Sequence, residues 1–198
     1  MSSFAGIAEA TDVLTDHLRD EFLAEPALAV LFGAGGHIVS SLSPTEMRDS
    51  AQSRSGLSVW LYRVERDPTL TNRPPVRVSA TTVRHPPLPL NLHYLVTPLS
   101  DTTDNEQLIL GKALEVLNDH TTHPADPARP ALTDVLRLSL ENLDLESITR
   151  IWSALEARYE LSVSYVAQLV NIESGRSPRP AVPVLERIQH QDQIVGVR

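Results

Sequence analysis

The chain is 198 residues long, 41% apolar and 21% charged, and its 17 Lys and Arg against 25 Asp and Glu give a formal net charge of −8. That acidity argues against a nucleic-acid binder, which carries a basic face, and a chain without cysteine has no thiol catalysis, disulfide staple or thiolate metal site. Apolar runs fall far short of the roughly 20 residues of a membrane span, and no secretory leader pattern opens the chain; the expectation is a soluble, cytoplasmic protein with one sizeable core and no membrane span.

In chain order, Phe4, Ile7, Thr11, Leu14, Leu18 and Phe22 recur at three- and four-residue steps, which predicts a helix over about 4–23, ended by Pro26. Ala27 to Phe32 and His37 to Leu42 are short apolar stretches either side of Gly33-Ala34-Gly35-Gly36, expected to pair as strands across a turn. Ser43-Pro44-Thr45-Glu46 is a capping box with proline at the first helical position, predicting a short helix over 44–52. Over 56–65, Leu57, Val59 and Leu61 alternate with Trp60, Tyr62 and Val64. A strand apolar on both faces is expected to be covered on both. A long turn follows, then a candidate strand over 76–83.

The segment PPLPLNLHYLVTP, residues 86–98, sets Leu88, Leu90, Leu92, Tyr94 and Val96 on one face and His93, Leu95 and Thr97 on the other. Pro86, Pro87 and Pro89 have no N–H to give, so the ladder is expected to start near Leu90 and run to Thr97. Thr103-Asp104-Asn105-Glu106 reads as a second capping box, opening a helix to about Asn118 with Gln107, Leu110, Leu114 and Leu117 on its apolar face. Val135 to Leu140 is a strand with Leu136, Leu138 and Leu140 inward. Asp144 caps a third long helix carrying Leu145, Ile148, Trp152, Leu155 and Tyr159, and a last strand aligns Leu161, Val163, Tyr165, Ala167 and Leu169. The order gives an α+β fold, a mainly antiparallel sheet flanked by helices. Residues 1–172 form this α/β domain and residues 173–198, rich in proline and without period, an extended C-terminal tail.

Chemistry is sparse. His120 and His123 share a loop without a convincingly spaced third ligand, and a structural or solvent-exposed role is the better reading. His93 has no nucleophile in a nearby motif. The glycine run lacks the spacing and the Lys-Ser/Thr of a phosphate loop, and Glu141, Asp144 and Glu146 read as carboxylates favouring a helix start. Trp152 and Tyr159 read as core. No catalytic, cofactor-binding or metal residue is assigned and no cofactor is expected. The alternatives from other classes are a small ligand-binding or hydrolytic enzyme with a site assembled from His93, Glu141 and Asp144, or a regulatory protein-interaction module.

Four stretches in order, LSVWLYRVERDPTLTNRPP (57–75), PPLPLNLHYLVTPLS (86–100), EQLILGKALEVLNDH (106–120) and ITRIWSALEARYELSVSYVAQLVNIES (148–174), resemble the tail-terminator or tube-cap proteins of extracellular contractile injection systems, phage-tail-like particles of the antifeeding-prophage type. The resemblance implies a domain like that of phage tail terminators, six copies of which form a homohexameric ring. Such a ring closes the inner tube away from the baseplate and ties down the last sheath ring, without catalysis. The implied partners are other copies of itself, the inner tube protein and the sheath protein, and the implied location is the cytoplasm within an assembled particle. In the tail, two apolar grips, Val182, Val184, Leu185 and Ile188, then Ile194, Val195 and Val197, are the expected sheath-binding residues. The last, in the extended DQIVGVR, is expected to add as a strand to a sheath subunit.

Overall fold

The first amphipathic period folds as helix α1 (Gly6–Ala24) in a computed structural model that describes residues 4–32, 39–50, 55–70, 74–79, 81–132 and 134–180. Leu14, Leu18 and Phe22 are buried as the spacing requires, but Phe4 precedes the helix and is exposed. Pro26 begins a second helix instead of only ending the first. Helix α2 (Pro26–Phe32) places proline at its start, where a missing N–H costs nothing, and stacks Phe32 on Phe22 at 6.0 Å between ring centroids. The expected strand over 27–32 is therefore helical, and the 27–32/37–42 hairpin does not form. Of its second half, β1 (Val39–Ser40) pairs in parallel with Leu57 and Ser58, and the Gly33–Gly36 turn lies outside the described residues.

Helix α3 (Pro44–Asp49) has the full capping box: Ser43 Oγ accepts the Glu46 N–H, and a Glu46 carboxylate oxygen accepts the Ser43 N–H at 3.0 Å. The further stretch to Gln52 predicted as helix ends at Ser50 and otherwise lies outside the described residues. The elements that follow are β2 (Gly56–Arg66), β3 (Val76–Ser79), β4 (Thr82–Arg84), β5 (Leu88–Leu99), α4 (Thr103–Asp119), β6 (Thr122–His123), β7 (Leu136–Glu141), α5 (Leu145–Ala154), β8 (Val163–Ile172) and β9 (Arg179–Pro180). The single strand expected over 76–83 is a hairpin, β3 and β4.

Two sheets result. One has six strands in the order β1-β2-β5-β8-β7-β6, antiparallel except at β1; the other has three, β3-β4-β9. Helices α1 and α4 cover one face of the large sheet, burying Leu14, Leu18, Phe22, Ile109, Ala113 and Leu117 against Leu57, Val59, Leu92, Tyr94, Leu138 and Ala167. Each fully buried side chain of this kind contributes about 1.5–3 kcal/mol. On the opposite face α5 lays Ile148 and Trp152 over Leu95, with Trp60 and Tyr62 beside them. The α+β expectation, a mainly antiparallel sheet flanked by helices, is met.

Several local expectations shift for identifiable reasons. Pairing in β5 starts at Leu88 opposite Ile172 and includes Pro89 opposite Asn171. A proline keeps its carbonyl, and that of Pro89 accepts the Asp67 N–H at 3.0 Å. The cap of α4 is Thr102, whose side chain accepts from the Asn105 N–H; the box expected at Thr103 does not form, the cap being a single bond one residue earlier, and Gln107 is exposed. A bulge at Tyr62 sets Leu61 opposite Tyr94 and Arg63 opposite His93. It turns Val64 to the side of Leu92, away from Trp60 and Tyr62, and leaves it exposed, so β2 is covered on both faces only in its first half.

A second irregularity sets Leu90 opposite Val170 but Leu92 opposite Ala167, so Val170 continues the buried face of β8; the Leu169 side chain lies outside the described residues. Leu161 precedes the strand and is exposed. Leu140 is half exposed and lines an open hollow of about 450 Å³ with Leu114, Leu117 and Tyr165. Leu145 is exposed at the start of α5, and Tyr159 lies beyond its end, with its ring 6.5 Å from Trp152.

Candidate functional site

The polar residues most able to do chemistry meet where the four middle and flanking strands of the large sheet run side by side. His93 on β5 is buried, with Nδ1 3.0 Å from Glu141 Oε2 and Nε2 3.1 Å from Glu65 Oε2. Ser164 Oγ donates to the same Glu141 oxygen at 2.7 Å, and Tyr62 Oη stands 3.1 Å from it and 3.0 Å from Ser164 Oγ. Arg63 in turn pairs with Glu65. Burial acts to raise the Glu141 carboxyl, but hydrogen bonds from His93, Ser164 and Tyr62 and the His93 charge outweigh it and hold the group below its ordinary range. Burial likewise pushes the Tyr62 phenol up.

The sequence alternatives thus come partly together. His93 and Glu141 touch, whereas Asp144 stands apart as the cap of α5, accepting the Ser147 N–H at 2.7 Å. Glu65, Tyr62 and Ser164 complete the cluster without having been singled out, because the register that aligns them spans up to 102 residues. In this arrangement the serine hydroxyl is given to a carboxylate, and both ring nitrogens of His93 face carboxylates. A nucleophile paired to a histidine base would need another geometry. The cluster joins β2, β5, β7 and β8 through side chains, and reads as a polar pin across the sheet.

The second histidine group also gains a member. His17 on α1 stands edge-on to His120 at 4.5 Å and to His123 at 5.1 Å between ring centroids. Burial lowers the His17 pKa, as does the charge of His120, with Glu21 and Asp20 acting the other way; burial and then His17 and His120 lower that of His123. Among the described residues no group of three or more His, Asp or Glu has the geometry to hold a metal ion. The loop after His123 is fastened to α1 by Arg129, 2.7 Å from Asp16, and by Glu9, which accepts the Ala131 and Leu132 N–H groups.

Apolar surface is left over elsewhere. All four residues of β3 are exposed, and Val76 lines a hollow of about 470 Å³ with Pro74, Pro75, Arg84, Pro86 and Pro87. The proposed tail grips, Val182, Val184, Leu185, Ile188, Ile194, Val195 and Val197, lie outside the described residues. Among the described residues no helix is long and apolar enough to cross a membrane.

Comparison with known proteins decides the family. The model of the Pvc16 N-terminal domain family matches residues 9–186. The chain belongs to this family. Two solved structures share the fold of this Pvc16-type domain. One is the sheath/tube terminator of PVC, an extracellular contractile injection system, in its extended state, with a TM-score of 0.62 at 18% identity over 96% of this chain and 65% of that one. The other is the tube-terminating cap of the anti-feeding prophage, with a TM-score of 0.56 at 16% identity over 89% of this chain and 59% of that one. The chain thus spans about three-fifths to two-thirds of the length of these solved chains. A comparison with curated proteins returned no match. The resemblance to the tail-terminator family of contractile injection systems is borne out by the family match and the shared fold.

Proposed function

We propose that this Pvc16-type domain is a structural cap: a ring of six copies that closes the inner tube of a contractile injection particle and holds the last sheath ring, without catalysis. The observation that carries the reading is fold likeness to two tube terminators over 96% and 89% of the chain. It is supported by a polar cluster arranged as a strand pin and by the neighbouring exposed Val76 and Val78 on β3, which an assembly would cover. In this reading residues 1–172 form the ring domain and 173–198 a tail, whose last segment, with Ile194, Val195 and Val197, adds as a strand to a sheath subunit. The ring is assembled in the cytoplasm of the producing cell as part of the particle.

Sedimentation of an epitope-tagged chain from lysate of the producing cells tests it. Tag in the fast fraction with rod-shaped particles, and tubes of uncontrolled length when the chain is deleted, are the expected results. Tag confined to the top of the gradient while particles sediment would overturn the cap reading.

A further inference from the structure

The small sheet has an asymmetry suited to head-to-tail assembly. Among the described residues its order is β3-β4-β9, so the strand that leads into the tail, β9, lies at one edge and the exposed β3 at the other, roughly 10 Å away across two strand spacings. At the β3 edge Val76 is 55% and Val78 52% exposed. At the Val76 end of the hairpin, where Arg84 lies opposite, a hollow of about 470 Å³ is walled by Pro74, Pro75, Val76, Pro86 and Pro87, with Arg84 and Glu173. One edge is a place to receive an extended apolar strand, and the other is where the chain departs with one.

We propose that residues 181–188 of one copy seat on the β3 edge of the next copy, with Val182, Val184 or Leu185 entering the Pro74–Pro87 hollow. This rests on the ring reading above, and it gives the first tail grip to a neighbouring cap subunit while the last grip stays with the sheath. Three observations favour a neighbour over the same subunit. Pro180 pairs with Thr82 beside the β3–β4 turn, so the chain departs at the tip of the hairpin. Pro180 fixes its own φ and favours an extended Arg179, and the sequence places a second proline three residues on, at 183, a spacing that disfavours the sharp reversal needed to come back along the same β3. If extended, eight residues would span about 26 Å at 3.3 Å each, well beyond the roughly 10 Å width of the small sheet. A donor edge and an acceptor edge on opposite sides of one sheet form a heterologous contact, the kind that propagates around a ring until it closes. Backbone bonds from the short β3 are few, and the hollow supplies the grip.

The cysteine-free chain makes the test direct. Val76→Cys and, in turn, Val182→Cys, Val184→Cys and Leu185→Cys are introduced singly into full-length chains and co-expressed in particle-producing cells; because the cytoplasm keeps thiols reduced, isolated particles are treated with copper–phenanthroline and air, which take up the two electrons each thiol pair gives on forming its S–S bond, and are then run on a non-reducing gel. The expected result is a disulfide-linked dimer joining one Val76→Cys chain to one tail-variant chain, absent when either is expressed alone, and a ladder of linked multimers when both changes sit in one chain. Only an internally linked monomer from the double variant would place the tail on its own subunit and overturn the inference. No linkage at any of the three positions, in particles that carry the cap, would overturn it and leave the ring reading intact. Absence of the chain from particles would remove both.

Discussion

Glu156 shows how a single side chain can be out of step with the backbone it occupies. Helix α5 ends in a Schellman arrangement, with the Ala157 N–H bonded to the Trp152 carbonyl at 3.2 Å and the Glu156 N–H to that of Ser153 at 3.1 Å. This places Glu156 at φ 54°, where a Cβ is strained and glycine is not. Glu156→Gly is expected to stabilise the fold by about 1 kcal/mol, read as a higher urea midpoint at unchanged slope. A lower midpoint would mean that the glutamate side chain contributes more than the strain costs. His17 and His123 give a second effect at this scale. Their folded pKa values lie below the ordinary value of 6.5, so the unfolded chain takes up protons first as the medium is acidified. Stability is therefore lost as pH falls from about 6.5 toward the folded values, and is unaffected above that range. Asp16 and Glu141, also lowered, act in a more acidic window, below the ordinary carboxylate values of 3.8 and 4.5. Melting temperatures between pH 7 and 5 are expected to fall for the parent chain and to fall less for His17→Gln, and equal slopes would rule out the histidine origin.

At the scale of elements, periodicity shows which residues share a face until a bulge changes the phase. The Leu57, Val59, Leu61 face of β2 is as the alternation requires, but the extra residue at Tyr62 transfers Val64 to the opposite side, and a similar slip puts Val170 in the core of β8. A local sequence carries no signal of either, since the slip is defined only against a partner strand. Helix α2 departs from the strand its apolar run suggests for a related reason: seven residues suit strand or helix equally, and contact with Phe22 of α1 settles the matter. The Ser43/Glu46 capping box is legible because its donors and acceptors lie three residues apart, whereas the box expected at Thr103 does not form. The polar pin is not legible, because Glu65, His93, Glu141 and Ser164 meet only when β2, β5, β7 and β8 are in register. Glu141→Ala withdraws the acceptor from His93, Ser164 and Tyr62 together, and is expected to cost about 2 kcal/mol in chemical denaturation. His93→Gln, which keeps a donor, should cost less. A stability unchanged by Glu141→Ala would show that the cluster does not hold the strands.

On the scale of the whole molecule, what a chain does not bury is as informative as what it does. The helices cover one face of the large sheet and part of the other, whereas the small sheet β3-β4-β9 has an exposed strand and an apolar hollow. Exposed strand edges can template pairing with another chain, and the assembly proposed above would cover the exposed Val76 and Val78. The pairing of Arg179 and Pro180 with β4 also fixes where a tail truncation belongs. Removal of Ser177 onward would take β9 with it and disturb the small sheet, so deletions should begin after Pro180. The two tail segments then make separable predictions under the proposed function. Deleting 192–198 is expected to leave caps on tubes of normal length while weakening sheath attachment, because the distal strand carrying Ile194 and Val197 is lost and the proximal grip is kept. Deleting 181–198 is expected to weaken cohesion between cap subunits as well, seen as fewer capped tubes at equal chain abundance. Electron microscopy of particles from the two strains distinguishes the effects. If the shorter deletion retained sheath as well as the parent, the distal strand would have no part in anchoring, and if the longer deletion capped tubes normally, subunit cohesion would reside wholly in the ring domain.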